Sequence, residues 1–279
     1  MLINLSIFLR PLIYLFFKGN KFTDPIDGKS YRKFLPYGYG KQRENALSPG
    51  TLSLERHRQM WLYLKNETDF FTQNYKVLHI APEQEFLRKF KKMKNLEYTS
   101  ADLFSPIVDV KADILDLPFE DESFDVIFCN HVLEHIIDDK KAMSELYRVM
   151  KKGGWGILQV PMKNSLEKTY EDFTITEPKE RQKHFGQYDH VRWYGMDYFE
   201  RLKSVGFSVD INFYSQKFPE QEQKRFGLNV TEILPVVAVA GTVTVIEVAE
   251  LGGVTVAVTP LNMTTLFAAT LLKPLPEMV

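Results

Sequence analysis

The stretch that decides the fold lies between residues 124 and 160: FDVIFCN at 124–130, DDKKAMSELYRVMKKGG at 138–154 and WGILQV at 155–160. The outer two pieces are short, apolar and rich in β-branched and aromatic residues, as buried strands are. The middle piece has a helical period, with Ala142, Leu146, Val149 and Met150 on one stripe. Asp138 or Asp139 caps its start, Lys151 and Lys152 complement its negative end, and Gly153 supplies a left-handed exit. Strand, helix and strand in that order make a parallel crossover unit.

The same alternation continues outward. Strands are expected at Tyr75–Ile80, Leu96–Ala101, Ile107–Ala112, Phe124–Asn130 and Trp155–Val160, and a helix from Asp197 to Val205 leads through Gly206 into an alternating strand, Phe207–Tyr214. The fold class is α/β with helices on both faces of a mostly parallel sheet. Ligands of such sheets sit beyond the carboxyl ends of the strands, where strand order reverses. The residues there are His79-Ile80-Ala81-Pro82-Glu83, then Asp102, then Asp113 to Phe119, then Asn130 to His135. Asp102 follows His79 by 23 residues, near the spacing of about 20 at which an acid reaches a ribose diol in dinucleotide folds.

At Asp113 to His135 the chain resembles the class I S-adenosylmethionine-dependent methyltransferases of the type 11 group. The resemblance rests on Asp-x-x-x-Leu-Pro-Phe from Asp113, Ser-Phe-Asp-Val-Ile from Ser123 and Val-Leu-Glu-His from Val132, with Gly153-Gly154 ahead of the next strand. It implies a Rossmann-like methyltransferase sheet with an antiparallel C-terminal edge and S-adenosylmethionine as cofactor. By this resemblance Asp102 holds the ribose, Asp113 the adenine amino group, Ile114 lines the adenine pocket, and Asn130 and His131 lie near the methionine end or the transferred methyl. The family's first loop is normally acidic residue-x-Gly-x-Gly; here it reads His79, Ala81 and Glu83 with Pro82 between, a stiffer and bulkier loop in which Glu83 could pair with the cofactor's ammonium. The likeness covers roughly residues 20–238 and extends to bacterial relatives with a cysteine-bearing knuckle and a Leu-Glu-Arg-His-Arg helix before the domain.

Two features imitate metal sites. Asp24, Asp27, Ser48 and Thr51 stand at the positions of zinc-ribbon cysteines, a poor zinc set that reads as a metal-free structural segment. His131-x-x-Glu134-His135 matches a metallopeptidase pattern, but no third ligand is identifiable from sequence, so no metal is expected. Between the fifth strand and the Asp197 helix runs a long polar and aromatic insertion, expected to close over the acceptor. Its His184 and His190, with His131, are candidate bases, and Arg192 a candidate for binding an acidic acceptor group.

Composition sets the outer bounds. Of 279 residues, 35 are Lys or Arg and 36 Asp or Glu, so the net charge of −1 gives no basic field for a nucleic-acid partner. The single cysteine, Cys129, cannot form an internal disulfide, which fits a reducing cytoplasm. Residues 1–19 read as an apolar helix, interrupted by Arg10 and Pro11, that packs on the core or lies on a membrane surface through Phe8, Phe16 and Phe17, with Arg10 and Lys18 at the headgroups. Residues 20–70 hold the knuckle-like segment and a helix from a Ser53 cap; its Arg56, His57 and Arg58 read as a solvated basic face. Residues 71–238 form the methyltransferase domain, and 239–279 an apolar tail with a hairpin turning at Gly252-Gly253. The expected function is methylation of a small-molecule or lipid- or sugar-linked acceptor, in the cytoplasm or peripherally on a membrane. The alternatives are a non-catalytic binding module on the same fold and, more distantly, a zinc hydrolase using His131 and His135.

Overall fold

The computed structural model describes residues 12–38 and 42–239, and the backbone of 243–250 and 253–260. Seven strands form the central sheet: β1 (Tyr75–Ile80), β2 (Leu96–Asp102), β3 (Val110–Lys111), β4 (Phe124–Cys129), β5 (Met150–Ile157), β6 (Phe207–Asn212) and β7 (Leu234–Val239). Their order is β6-β7-β5-β4-β1-β2-β3, parallel except that β7 runs against both β5 and β6. The mostly parallel sheet with an antiparallel C-terminal edge is therefore present. Helices α1 (Glu55–Asn66), α2 (Gln84–Phe90), α3 (Asp139–Val149), α4 (Pro178–Phe185), α5 (Tyr198–Ser204) and α6 (Glu220–Phe226) accompany it.

Side-chain alternation along the strands builds a core on each face. Leu78 and Ile80 of β1, Ile127 and Cys129 of β4 and Val237 of β7 pack with Ala142, Met143 and Leu146 of α3 and Phe199 and Leu202 of α5. Val77 of β1, Val126 and Phe128 of β4 and Trp155 and Ile157 of β5 pack with Met60 and Leu64 of α1 and Phe86 and Phe90 of α2. Each buried Leu, Ile or Phe side chain contributes about 1.5–3 kcal/mol, so the two-sided burial, more than helix propensity, fixes where these short helices lie.

The boundaries differ from expectation where local geometry intervenes. The third strand shrinks from Ile107–Ala112 to Val110–Lys111, because Asp109 turns back to accept the Ser100 amide at 3.0 Å and its hydroxyl at 2.5 Å. Asp138 does cap α3, accepting the Lys141 amide at 3.0 Å. Yet the helix ends at Val149, and Gly153, at φ +81°, lies inside β5 and not at a helix exit. Ser53 is not a cap: α1 starts after Leu54, whose amide donates to His57 Nδ1, while the Ser53 hydroxyl donates to Asp24.

The basic trio of α1 is not a solvated face. Arg58 is wholly buried and donates to the carbonyls of Ser53 (2.7 Å), Phe226 (2.7 Å) and Gly227 (2.6 Å), joining the N-terminal segment to α6. His57 is buried as well. In the knuckle-like segment, Asp24 is fully buried and accepts Thr51 Oγ1 at 2.5 Å and Ser53 Oγ at 3.1 Å, while Tyr31 donates to Asp27 at 2.7 Å. Hydrogen bonds thus tie together the two turns at the positions that resemble a ribbon.

Residues 12–17 are helical, with Leu12, Leu15 and Phe16 exposed and Tyr14 and Phe17 packed on the Phe22, Tyr31 and Phe34 cluster. Phe8 and Arg10 lie outside the described residues. In the tail Val243–Glu250 pairs antiparallel with Gly253–Pro260, Glu250 opposite Gly253; of the expected Gly252-Gly253 turn, Gly252 lies outside the described residues.

Candidate active site

The carboxyl ends of β1 and β4 meet level, with Ile80 opposite both Ala101 and Cys129. Immediately beyond them the chain enters the left-handed region twice at non-glycine residues, Ala81 (φ +46°) and His131 (φ +55°). Such conformations persist only where surrounding bonds enforce them. Here the Ala81 amide donates to Ala101 at 2.8 Å and the His131 amide to Gln159 at 2.7 Å. Both strands therefore turn sharply away and leave a crevice.

That crevice is a cavity of about 510 Å³ whose lining includes Ala81, Asp102, Asp113, Ile114 and His131. Asp102 ends β2; its Oδ1 accepts the Phe104 amide at 2.7 Å and the Ser105 amide at 2.6 Å, so the carboxylate is oriented while Oδ2 has no such backbone partner. Asp113 is set similarly, with Oδ1 accepting the Leu115 amide at 2.9 Å. The sequence reading missed Phe104, which stands 84% exposed on the rim; Val132 and His135, also in the lining, belong to the 130–135 stretch marked beyond the fourth strand, and Asp189 to the insertion. An aromatic ring left in water beside a cavity is a readable signal only once the cavity is known.

Other expected site residues lie elsewhere. Alternation along β1 turns His79 to the opposite face, where it is fully buried among Phe86, Phe90 and Phe128. Its Nδ1 meets Tyr98 Oη and its Nε2 meets Glu83 Oε2, each at 2.9 Å. Glu83 is thereby engaged away from the cavity, with His57 Nε2 3.8 Å from its other oxygen. Burial works to raise the Glu83 carboxyl, but the His79 hydrogen bond and the charges of His79 and His57 outweigh it and hold it down at about 2. Asn130 is buried and donates to Met60 Sδ at 3.4 Å, while its Oδ1 accepts the Gln159 amide at 3.3 Å. It supports the loop instead of lining either cavity.

A second cavity, about 440 Å³, opens on the other side of His131 and is lined by Arg43, Arg56, Asn164, Asn229, Thr231 and Glu232, among others. None of these polar groups was singled out as an acceptor residue from the sequence; they come from three separate chain segments. His131 Nδ1 lies 3.3 Å from Glu134 Oε1, whereas its Nε2 has no hydrogen-bond partner among the described residues. Burial pushes its imidazole below the ordinary range, the nearby Arg56 adds to this, and Glu134 opposes it. Burial raises the Glu232 carboxyl, with Arg56 opposing.

The insertion reaches both cavities. Tyr170–Glu171 pairs with Arg192–Trp193, Asp189 lines the first cavity, and Met162 and Asn164, at the start of the insertion, line the second. His184 sits on α4, with Tyr170 Oη 2.9 Å from its Nδ1 and Glu180 3.7 Å from its Nε2, and lines neither cavity. His190 is buried beside Glu134. Arg192 is not available to an acceptor: it is 1% exposed and donates to the carbonyls of Leu133 (3.0 Å), Ile136 (2.5 Å) and Ile137 (2.8 Å) and to Glu171 (2.8 Å).

Comparison with known proteins gives partial matches. Residues 62–158 match the family model described as a methyltransferase domain. An uncharacterised protein of Methanocaldococcus jannaschii is 44% identical over 66 residues, which is 23% of this chain and 29% of that one. A demethylmenaquinone methyltransferase of Clavibacter sepedonicus is 44% identical over 45 residues, 16% of this chain and 18% of that enzyme. These matches span less than a third of either relative. A solved S-adenosylmethionine-dependent methyltransferase from Archaeoglobus fulgidus is similar at a TM-score of 0.44 and 16% identity, over 67% of this chain and 95% of that one. Residues 62–158 of this chain therefore carry the pattern of a methyltransferase domain.

Proposed function

We propose that this protein transfers a methyl group from S-adenosylmethionine to a small, polar, acid-bearing acceptor. The observation that carries the reading is that His131 lines both cavities. Each has the size of a small-molecule site, about 300–1,000 Å³. The first fits the cofactor: the free Oδ2 of Asp102 suits a ribose diol, Asp113 an exocyclic amine, and the left-handed turn at Ala81 keeps its loop out of the crevice. When bound, the cofactor supplies an electrophilic methyl on a sulfonium.

The chain's own part is to align the nucleophile, exclude water and take up the acceptor's proton. The unpartnered Nε2 of His131 is the atom for that proton, and Arg56, whose Nε also lacks a partner, suits an anionic group on the acceptor. Relatives named as quinone methyltransferases match over 45 and 69 residues. The polar lining of the second cavity supports a compact polar acceptor over a prenylated one.

The test is S-adenosylhomocysteine release with a panel of hydroxy acids and carboxylated phenols. Turnover is expected for wild type, and His131→Ala should lower kcat about 100-fold, the usual worth of a general base, while its affinity for S-adenosylhomocysteine changes less than tenfold. Product-binding protein that turns over no acceptor would favour the non-catalytic module.

We propose also that the protein contacts a membrane surface peripherally, supported by the exposed Leu12, Leu15 and Phe16 beside Lys18. No helix among the described residues is long and apolar enough to cross a membrane. Deleting residues 1–18 should abolish sedimentation with anionic liposomes; equal sedimentation of both forms would count against it.

A further inference from the structure

We infer that Glu134, His135 and His190 form a binding site for a divalent transition-metal cation. Their ligand atoms all lie within 4.8 Å of one another. Nε2 of His135 and Nε2 of His190 stand 3.9 Å and 4.0 Å from the same oxygen, Glu134 Oε1. The sequence pattern pairs His131 with His135; the structure instead pairs His135 with His190, which arrives 55 residues later at the end of the insertion.

Three independent features point to a cation at this spot. First, Glu134 is 1% exposed and, apart from His131 Nδ1 at 3.3 Å from Oε1, its carboxylate oxygens have no hydrogen-bond partner among the described residues. A buried carboxylate without such partners is costly unless a cation faces it, and among the described residues its ion-pair neighbours are histidines alone, His131, His135 and His190. Second, the far nitrogen of each histidine is already held. His135 Nδ1 lies 3.3 Å from the Asp189 carbonyl and 3.4 Å from its carboxylate, and His190 Nδ1 lies 3.2 Å from the Phe185 carbonyl. A carbonyl or carboxylate on one ring nitrogen is the arrangement that fixes a metal-binding imidazole with its other nitrogen presented. Third, the main chain brings the two segments together without the metal: the Val191 amide donates to the Glu134 carbonyl at 3.0 Å.

Two imidazoles and one carboxylate suit zinc, iron or manganese and not calcium, which takes oxygen ligands throughout. Metal–ligand distances of about 2.0–2.2 Å require the three atoms to close by about 1 Å, within the reach of small side-chain rotations. His135 also lines the cofactor cavity, so the cation would sit at its wall and clip the insertion to the turn after β4. The inference does not depend on methyl transfer, because the site is read with metal alone.

The experiment is calorimetric titration of untagged, chelator-stripped full-length protein with zinc chloride, repeated with cobalt(II) and followed by visible absorption. One equivalent of zinc should bind, the cobalt form should show ligand-field bands, and His190→Ala and Glu134→Gln should each weaken zinc binding at least tenfold. His184→Ala, on the exposed helix, should bind as wild type. Absence of saturable zinc binding by folded wild type would overturn the inference, as would natively folded His190→Ala, judged by circular dichroism, binding zinc unchanged. Loss of binding in His184→Ala alone would overturn it too.

Discussion

Asp102→Ala is expected to weaken S-adenosylhomocysteine binding at least 100-fold. Under the proposed cofactor placement two ribose hydroxyls would donate to this one carboxylate, and hydrogen bonds to a charged group are worth about 1.5–3 kcal/mol each, so losing both would cost about 3–6 kcal/mol. Asp102 also holds its own turn, through the Phe104 and Ser105 amides. Alanine therefore removes ligand contacts and loosens the loop bearing Phe104 at once. Asp102→Asn separates the two effects, since its amide oxygen can still accept both backbone amides while Oδ2 becomes a donor. The asparagine variant should keep the wild-type melting temperature and lose about tenfold to 100-fold in affinity, measured by calorimetry. Wild-type affinity in both variants would mean that the ribose does not meet Asp102, and the first cavity would then hold some other ligand.

The sheet was legible because its signals are local. The strand of 124–130, the stripe of 142–150 and the cap at Asp138 are each written in fewer than 15 consecutive residues, and each stands within a few residues of its expected place. Ala81, Asp102, Asp113, Ile114 and His131 line the cavity because strand ends and the turns after them are local too. His79 shows the limit of that reasoning. Being one residue from a strand end is not enough, since alternation decides the face, and His79 falls on the side of Val77, not that of Ile80.

The second cavity and the metal cluster were not legible for a different reason. Arg43 and Arg56, then Asn164, then Glu232 come from three distant segments, and nothing in their own neighbourhoods marks them as sharing a wall. His190 was read as a base because it lies in a polar insertion, and its closeness to Glu134 depends on how that insertion folds back. Arg58 was read as solvated for a similar reason: its partners are the carbonyls of Phe226 and Gly227, more than 160 residues away, and backbone carbonyls leave no mark in sequence.

Arg192 is the residue whose reassignment has the largest consequence for stability. Expected from sequence to bind an acceptor, it lies fully inside the protein, its guanidinium spread over three carbonyls of the 133–137 turn and two carboxylates, Glu171 at 2.8 Å and Asp139 at 3.6 Å. Removing one partner from a buried charged network strands the others, at a cost of about 3–5 kcal/mol. Arg192→Ala should therefore lower the melting temperature by about 10 °C for a chain of this size. Arg192→Lys should recover little of it, because an ammonium on a flexible stem cannot reproduce the planar fork. The turn it holds carries His135 and Ile136 of the first cavity, the proposed cofactor site, so affinity for S-adenosylhomocysteine should fall in parallel with stability. An acceptor-binding arginine would behave in the opposite way, leaving the melting temperature unchanged while KM for the acceptor rose. Thermal unfolding of Arg192→Lys separates the two: a wild-type melting temperature would return Arg192 to the acceptor site, and a large drop identifies it as the post that fixes the turn against which the cofactor binds.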